Sequence, residues 1–157
     1  MADSVHEDIL TLSSTRLAAI TLGTTPNNPQ ARIVEREVLD AGWASGIAVY
    51  PLLVLSGVGV RTDLGNPSNC KDDDAYPLII RIVDRVQDWS TSQRNNHYKW
   101  MHLIIDAFRH VPLTLTYTGA SCLDIRLLPS ITIEPEPLAY QLISRPLQFE
   151  VITRIVR

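Results

Sequence analysis

YPLIIRIVDRVQDWSTSQRNNHYKWMHLIIDAF, residues Tyr76 to Phe108, changes its hydrophobic period halfway along, and that change decides the fold. In its first part Leu78, Ile79, Ile80, Ile82 and Val83 form a β-branched run broken only by Arg81, with apolar side chains on both alternating faces. Such a run reads as a central strand covered on both sides. Pro77 falls at its first position, where a missing donor harms a ladder least. After Asp84 the pattern turns helical. Ser90 followed three residues later by Gln93 is a capping box, in which hydroxyl and amide satisfy free backbone donors at a helix start. Tyr98, Met101, Ile105 and Phe108 then recur at helical spacing, flanked by Trp100, Ile104 and Ala107, and predict the inward face. Asn95, Lys99, His102, Asp106 and Arg109 make the opposite, polar stripe. A helix from Thr91 to Phe108, stopped by Pro112, would be about 27 Å long at about 1.5 Å per residue, enough to cross a small sheet.

Outward from this stretch the chain offers one more helix and several short strands. Ser4 with Glu7 forms a second capping box, and Val5, Ile9, Leu12, Ala19 and Ile20 predict a helix ending near Gly23. Arg32 to Leu39 is ambiguous between helix and strand; its β-branched residues favour a strand. Gly46 to Leu55 reads as a strand that Pro51 pushes to an edge or splits. Ser56 to Ala75, rich in Gly, Asn and Asp, predicts a long loop of the kind that carries function or moves. Beyond Pro112, Leu113 to Tyr117, Leu123 to Leu127, and Ile131 with Ile133 read as short strands. Leu147, Phe149, Val151 and Ile155 alternate against Gln148, Glu150 and Arg154, a half-buried strand that ends the chain inside its sheet. The fold class expected is α+β, a single twisted and mostly antiparallel sheet of about four to six strands packed by an N-terminal helix and a long central helix. Residues 1–157 form one domain by length.

Composition narrows the function. A net charge of −3 with 20% charged residues opposes binding to nucleic acid through a basic surface, since that binding needs clustered Lys and Arg. Cys70 and Cys122 lie far apart with no CxxC or histidine cluster, so free thiols are expected rather than a disulfide or a zinc site. No apolar run approaches the roughly 20 residues that cross a bilayer, and the acidic N-terminus is unlike a signal peptide, so a protein made and used in a cytoplasm is expected.

Candidate chemistry is sparse. His97, His102 and His110 fall near the central helix, but without HExxH they read as members of a solvated polar stripe; His6 reads as exposed. Asp72, Asp73 and Asp74 offer hard oxygen ligands yet lack the EF-hand pattern, so the run reads as a solvated loop. Gly57, Gly59 and Gly65 match neither GxGxxG nor GxxxxGK[ST], and no GxSxG elbow places a serine. Trp100 reads as core, with Trp89 near the helix entrance. No catalytic, cofactor or metal residue is therefore assigned, no cofactor is expected, and the chain reads as a non-enzyme.

The order of these features resembles the tail-terminator and neck (head-tail joining) proteins of tailed bacteriophages. The resemblance rests on "AVYPLLVL", a long loop, "YPLIIRIVDR", the helix containing "HYKWMHLIIDAF" and the closing "YQLISRPLQFEVITRIVR", roughly Ile33 to Arg157, with the Tyr140 to Ser144 approach to the last strand as its most characteristic part. It implies a structural virion protein, a homohexameric ring at the head-proximal end of the tail that ends tail-tube growth and joins tail to head. The implied partners are the tail tube protein, the head connector or neck proteins and, as a further one, the sheath protein, with neither sequence-specific nucleic acid nor membrane. The implied location is the head-tail junction of the virion, assembled in the host bacterial cytoplasm. Arg61, Asp63, Asp72, Asp73 and Asp74 are then the interface candidates, as charge complementary to a neighbour. A neck or head-completion adaptor is the near alternative. A small ligand-binding protein or enzyme, whose polar groups meet only in the fold, is the alternative from another class.

Overall fold

In the computed structural model, residues 4–22, 34–35, 50–57, 71–86, 90–129, 133–138 and 141–156 are described. The elements are α1 (Val5–Ala19), β1 (Val34–Glu35), β2 (Leu52–Gly57), β3 (Lys71–Arg85), α2 (Thr91–Phe108), β4 (Ala120–Leu128), α3 (Pro135–Leu138) and β5 (Leu142–Val156). The strands form one sheet in the order β1-β2-β3-β5-β4, antiparallel except for the short β1–β2 pair. This is the α+β architecture expected.

The apolar run predicted as a central strand lies at the centre, and the strand is longer than the run. Lys71 to Arg85 pairs residue for residue with Val156 to Leu142, so the 15 residues of β3 all find partners on β5. The expected loop from Ser56 to Ala75 is therefore shorter than its composition suggests. Ser56 and Gly57 complete β2, and Asp72, Asp73 and Asp74 lie in β3, opposite Ile155, Arg154 and Thr153. Polar composition misled there because the ladder is built from backbone groups and tolerates aspartates where a cross-strand cation faces them.

The same pairing explains two prolines. Pro77 is interior to β3, opposite Glu150, rather than first in its strand. The last β2 partner is Gly57 opposite Leu78, so Pro77 lies just past the end of β2. Pro146 in β5 lies similarly just past Leu128, the last residue of β4, which pairs with Gln148. On that side neither proline is paired with a described residue, so no described ladder bond is lost there. The Tyr50–Pro51 peptide is cis, and β2 starts at the next residue. Positions 46–49 of the expected strand, and all of 32–39 except Val34–Glu35, lie outside the described residues.

One face of the sheet carries both long helices. Leu53, Leu55, Leu78, Ile80, Ile82, Leu147, Phe149 and Val151 meet Val5, Ile9 and Leu17 of α1 and Trp100, Ile104 and Phe108 of α2 in the main core. Phe108 packs on Phe149 with ring centroids 5.5 Å apart. The opposite face has a smaller apolar cluster of Leu52, Val54, Val83 and Leu142 with Tyr50. Both capping hydroxyls act as predicted: Ser4 Oγ accepts from the Glu7 amide and Ser90 Oγ from the Gln93 amide, each at 3.1 Å.

Leu113 to Tyr117 is not a strand. Its donors go instead to a side chain of α1. The Asp8 carboxylate, 3% exposed, accepts from the Thr116 hydroxyl (2.7 Å), the Thr116 amide (2.6 Å) and the Tyr117 amide (2.9 Å). Arg16, about two turns further along the same helix, donates to the carbonyls of Val111 and Pro112. The connection from α2 to β4 is thus held to α1 by two opposite charges. Ile131 of the last expected short strand lies outside the described residues, and Ile133 sits in a bend before α3. Gly119, at φ +82°, turns the chain into β4 in a conformation that side chains rarely adopt.

Asp8 makes a test. Burial pushes its carboxyl up, but the Thr116 hydroxyl and the Tyr117 and Thr116 amides together hold it below its ordinary value of 3.8. A folded value below the unfolded one means the contribution is complete above about pH 4 and is lost as pH falls through the folded value. Asp8→Ala should cost about 1–3 kcal/mol in urea denaturation at neutral pH, because it leaves buried donors without an acceptor. It should also remove part of the stability lost by the parent protein below pH 4. An unchanged acid limb would refute the assignment.

Candidate functional site

Helix α2 buries a different line of residues from the one its large apolar side chains suggest. Gln93, His97, Trp100, Ile104 and Phe108 face inward, while Tyr98 is 43% exposed and Met101 and Ile105 lie at the margin. The helix is turned so that its first two turns bring polar groups onto the sheet. There Asp84, the first polar residue of β3 after its apolar run, receives them. The carboxylate accepts from Gln93 Nε2 and lies 3.2 Å from His97 Nε2, while its other oxygen accepts from the Arg85 amide at 2.8 Å. Arg145 of β5 is on the same face, 2% exposed, with its guanidinium 4.8 Å from the centre of the Tyr98 ring. The His97 ring also packs on Trp100 at 5.3 Å.

This is a buried acid, imidazole and guanidinium cluster. Asp84 and His97 are 1% and 0% exposed. A group that abstracts or delivers a proton must reach substrate to within hydrogen-bond distance, and neither can from there. What the geometry does is fix the rotation of α2: any other rotation would leave a carboxylate in the core with the Arg85 amide but without the donors of α2, at a cost of about 1–3 kcal/mol. The reading of His97 as part of a solvated stripe is corrected accordingly. His102 does lie on the exposed side of α2. His110, at the end of the helix, is exposed and bonds the Asp124 carboxylate of β4 at 3.0 Å; that bond, more than the Arg126 and Ile125 donors, lowers the carboxyl. His6 is half-buried, packed over Gly57 rather than exposed.

A second polar network occupies the far face of the sheet. Arg81 Nε is 3.1 Å from both carboxylate oxygens of Glu134, its Nη1 donates to Ser56 Oγ at 2.6 Å, and the Ser144 hydroxyl donates to the same carboxylate. The Glu134 amide also donates to the Ser144 carbonyl at 2.9 Å. Three strands and the segment leading into α3 are thereby tied at one point. Both partners of the ion pair are largely covered, at 13% and 20% side-chain exposure.

Of the sequence-based interface candidates, Asp72, Asp73 and Asp74 begin β3, at the end of the sheet away from Asp84. Asp73 receives two parallel bonds from Arg154, at 2.7 and 2.8 Å, which together with its charge raise the guanidinium pKa. Arg61 and Asp63 lie outside the described residues. Cys122 is free, and burial pushes its thiol up; Cys70, Trp43 and Trp89 lie outside the described residues. Among the described residues no group of three His, Cys, Asp or Glu side chains is placed to hold a metal ion. No described helix is long and apolar enough to cross a membrane.

Sequence reading missed Gln93, His97, Asp84 and Arg145 because polar residues were assigned outward. The signal was present: positions 93, 97, 100, 104 and 108 are spaced 4, 3, 4 and 4, one continuous helical line. His97→Ala should therefore destabilise the protein by about 1–3 kcal/mol in chemical denaturation, the cost of leaving a buried carboxylate without one of its hydrogen-bond partners. His102→Ala, on the exposed side, should stay within about 0.5 kcal/mol of the parent. Equal effects would contradict the helix rotation described.

No protein-family model matches the chain, and no curated protein matches it. A solved structure does. The fold is similar to that of a chain in the virion of a native gene transfer agent (GTA) particle, with a TM-score of 0.63 and 12% sequence identity, over 99% of this chain and 100% of that one. At that identity what is shared is the fold, and it is shared over the full length of both chains.

Proposed function

We propose that this chain is a structural virion protein of a tailed-phage type, a ring subunit at the head-proximal end of the tail that ends tail-tube growth and joins tail to head. The observation that carries the reading is the likeness to a virion chain, which extends over 99% of this chain and 100% of that one. The order of elements that resembles tail-terminator and neck proteins supports it independently, since it was reached from sequence pattern alone.

The described polar clusters fit a scaffold rather than a reaction centre. Asp84 with His97, and Arg81 with Glu134, are spent on holding strands and helices in register, behind side chains that exclude solvent. A ring subunit needs this rigidity, because small errors in subunit shape accumulate around a closed ring. Its partners would be copies of itself, the tail tube protein, the connector or neck proteins and the sheath where one is present.

The native mass of the purified protein over a range of concentrations, with negative-stain images of the same samples, tests this. Closed rings of about six subunits are expected, as for a heterologous contact whose rotation closes. A protein that stays monomeric at every concentration, and that also leaves purified tail tubes uncapped, would sink the proposal.

A further inference from the structure

The two long helices treat their own dipoles oppositely. An α-helix favours carboxylates at its N-terminus and cations at its C-terminus. α1 follows the rule, with Glu7 and Asp8 in its first turn and Arg16 in its last. α2 has no acid in its first turn and no base in its last; Arg94 is its fourth residue and Asp106 its third from the end, both against the dipole, and only Arg109 at the C-cap sits with it. Nor are the cations used within the helix. Arg94 and Lys99 have no carboxylate three or four residues away, the spacing at which helical ion pairs form. Neither makes an ion pair among the described residues.

Arg94, Tyr98, Lys99, His102, Leu103 and Arg109 are all exposed along the outward side of α2. Tyr98 and Leu103 are among the large apolar side chains most open to solvent, at 43% and 40%. An aromatic and an aliphatic anchor among cations is the composition of an interface and not of a merely solvated face. The charge also has a natural complement. The outward side of α2 carries Arg94, Lys99 and Arg109 against Asp106, a net of +2; in a chain of net −3 the remainder is −5. The densest carboxylate run in the sequence, Asp72–Asp74, begins β3, whereas Gln93 and His97 of α2 meet Asp84 near its other end. Ten residues of strand separate Asp74 from Asp84, about 33 Å.

We infer that the outward face of α2 is the contact surface for a second copy of this chain, whose acidic start of β3 it receives. The inference rests on the ring reading and gives it a geometry. Arg94 and Lys99 near one end of β3 and carboxylates at the other form two different, complementary patches. Paired head to tail, they make a heterologous contact, which generates a ring when its rotation closes. Asp73 is already held by Arg154, which leaves Asp74 as the described carboxylate of the contact, with Asp72 beside it in the acidic run.

Charge reversal tests it. Arg94→Glu with Lys99→Glu, and separately Asp72→Lys with Asp74→Lys, are each expected to abolish rings while leaving the circular-dichroism spectrum and melting transition of a folded monomer. All four substitutions together are expected to restore rings. Rings from the parent protein should also dissociate as sodium chloride rises from about 0.05 to about 1 M, as surface charges are screened. Rings that persist in both double variants would overturn the contact and leave the ring reading standing. A parent protein that forms no rings at any salt concentration and leaves purified tail tubes uncapped would overturn the ring reading itself. Should either double variant fail to fold, the salt titration decides alone, and salt-insensitive rings overturn the contact.

Discussion

Everything described here hangs on one ladder, the 15-residue antiparallel pairing of β3 with β5. It is about 50 Å long at about 3.3 Å per residue, more than twice the length of β2 beside it. Pro77 and Pro146 both pair across this ladder, at positions that β2 and β4 do not reach among the described residues. The ladder also sets which residues share a face. With Leu78 opposite Phe149 and Ile80 opposite Leu147, a slip of one residue would turn the whole apolar set from the helices to the far face. Register here is fixed by burial on both sides at once.

Charge is used to locate elements that apolar packing alone leaves free to slide. A helix on a sheet can roll about its axis at small cost when its apolar stripe is broad, and α2 has a broad one. Asp84 removes that freedom, since its carboxylate is buried and its donors, Gln93 and His97, come from adjacent turns of the same helix. Asp8 and Glu134 do the same for the α2–β4 connection and for the segment entering α3. Buried charges of this kind add little net stability, because desolvation offsets most of the attraction. Their effect is on which arrangement is populated: an alternative packing would leave the same carboxylates unpaired.

Legibility in the sequence followed the physics of each segment. The apolar run of β3, both capping serines, α2 between Ser90 and Phe108 and the alternation of β5 after Leu147 were readable because each is a local pattern with one good interpretation. What was not readable depended on residues far away in sequence. Leu113 to Tyr117 has the alternation of a strand, yet its amides are claimed by Asp8, more than a hundred residues earlier. Lys71 to Ala75 looks like loop because three aspartates in a row oppose strand formation locally; Arg154 and the backbone of β5 outweigh that preference from the other end of the chain. The buried face of α2 was misassigned for a related reason. A histidine and a glutamine are polar by any scale, and only the presence of Asp84 makes the inward position the better one.

A fold shared at 12% identity must be specified by something other than particular side chains. The ladder supplies it: backbone hydrogen bonds are indifferent to sequence so long as alternate positions stay apolar and prolines stay where a neighbouring strand has ended. Such a frame leaves its surfaces free to vary, and fold alone then says little about partners. Within this chain the solvent-facing charges divide into two groups. Arg154 with Asp73, and His110 and Arg126 with Asp124, are matched internally, and in each case the carboxylate sits on a strand of the sheet. Arg94 and Lys99 make no ion pair among the described residues and lie on a helix whose dipole the first of them opposes. In the ring contact proposed above, a neighbouring copy supplies the carboxylates that these two cations do not meet among the described residues.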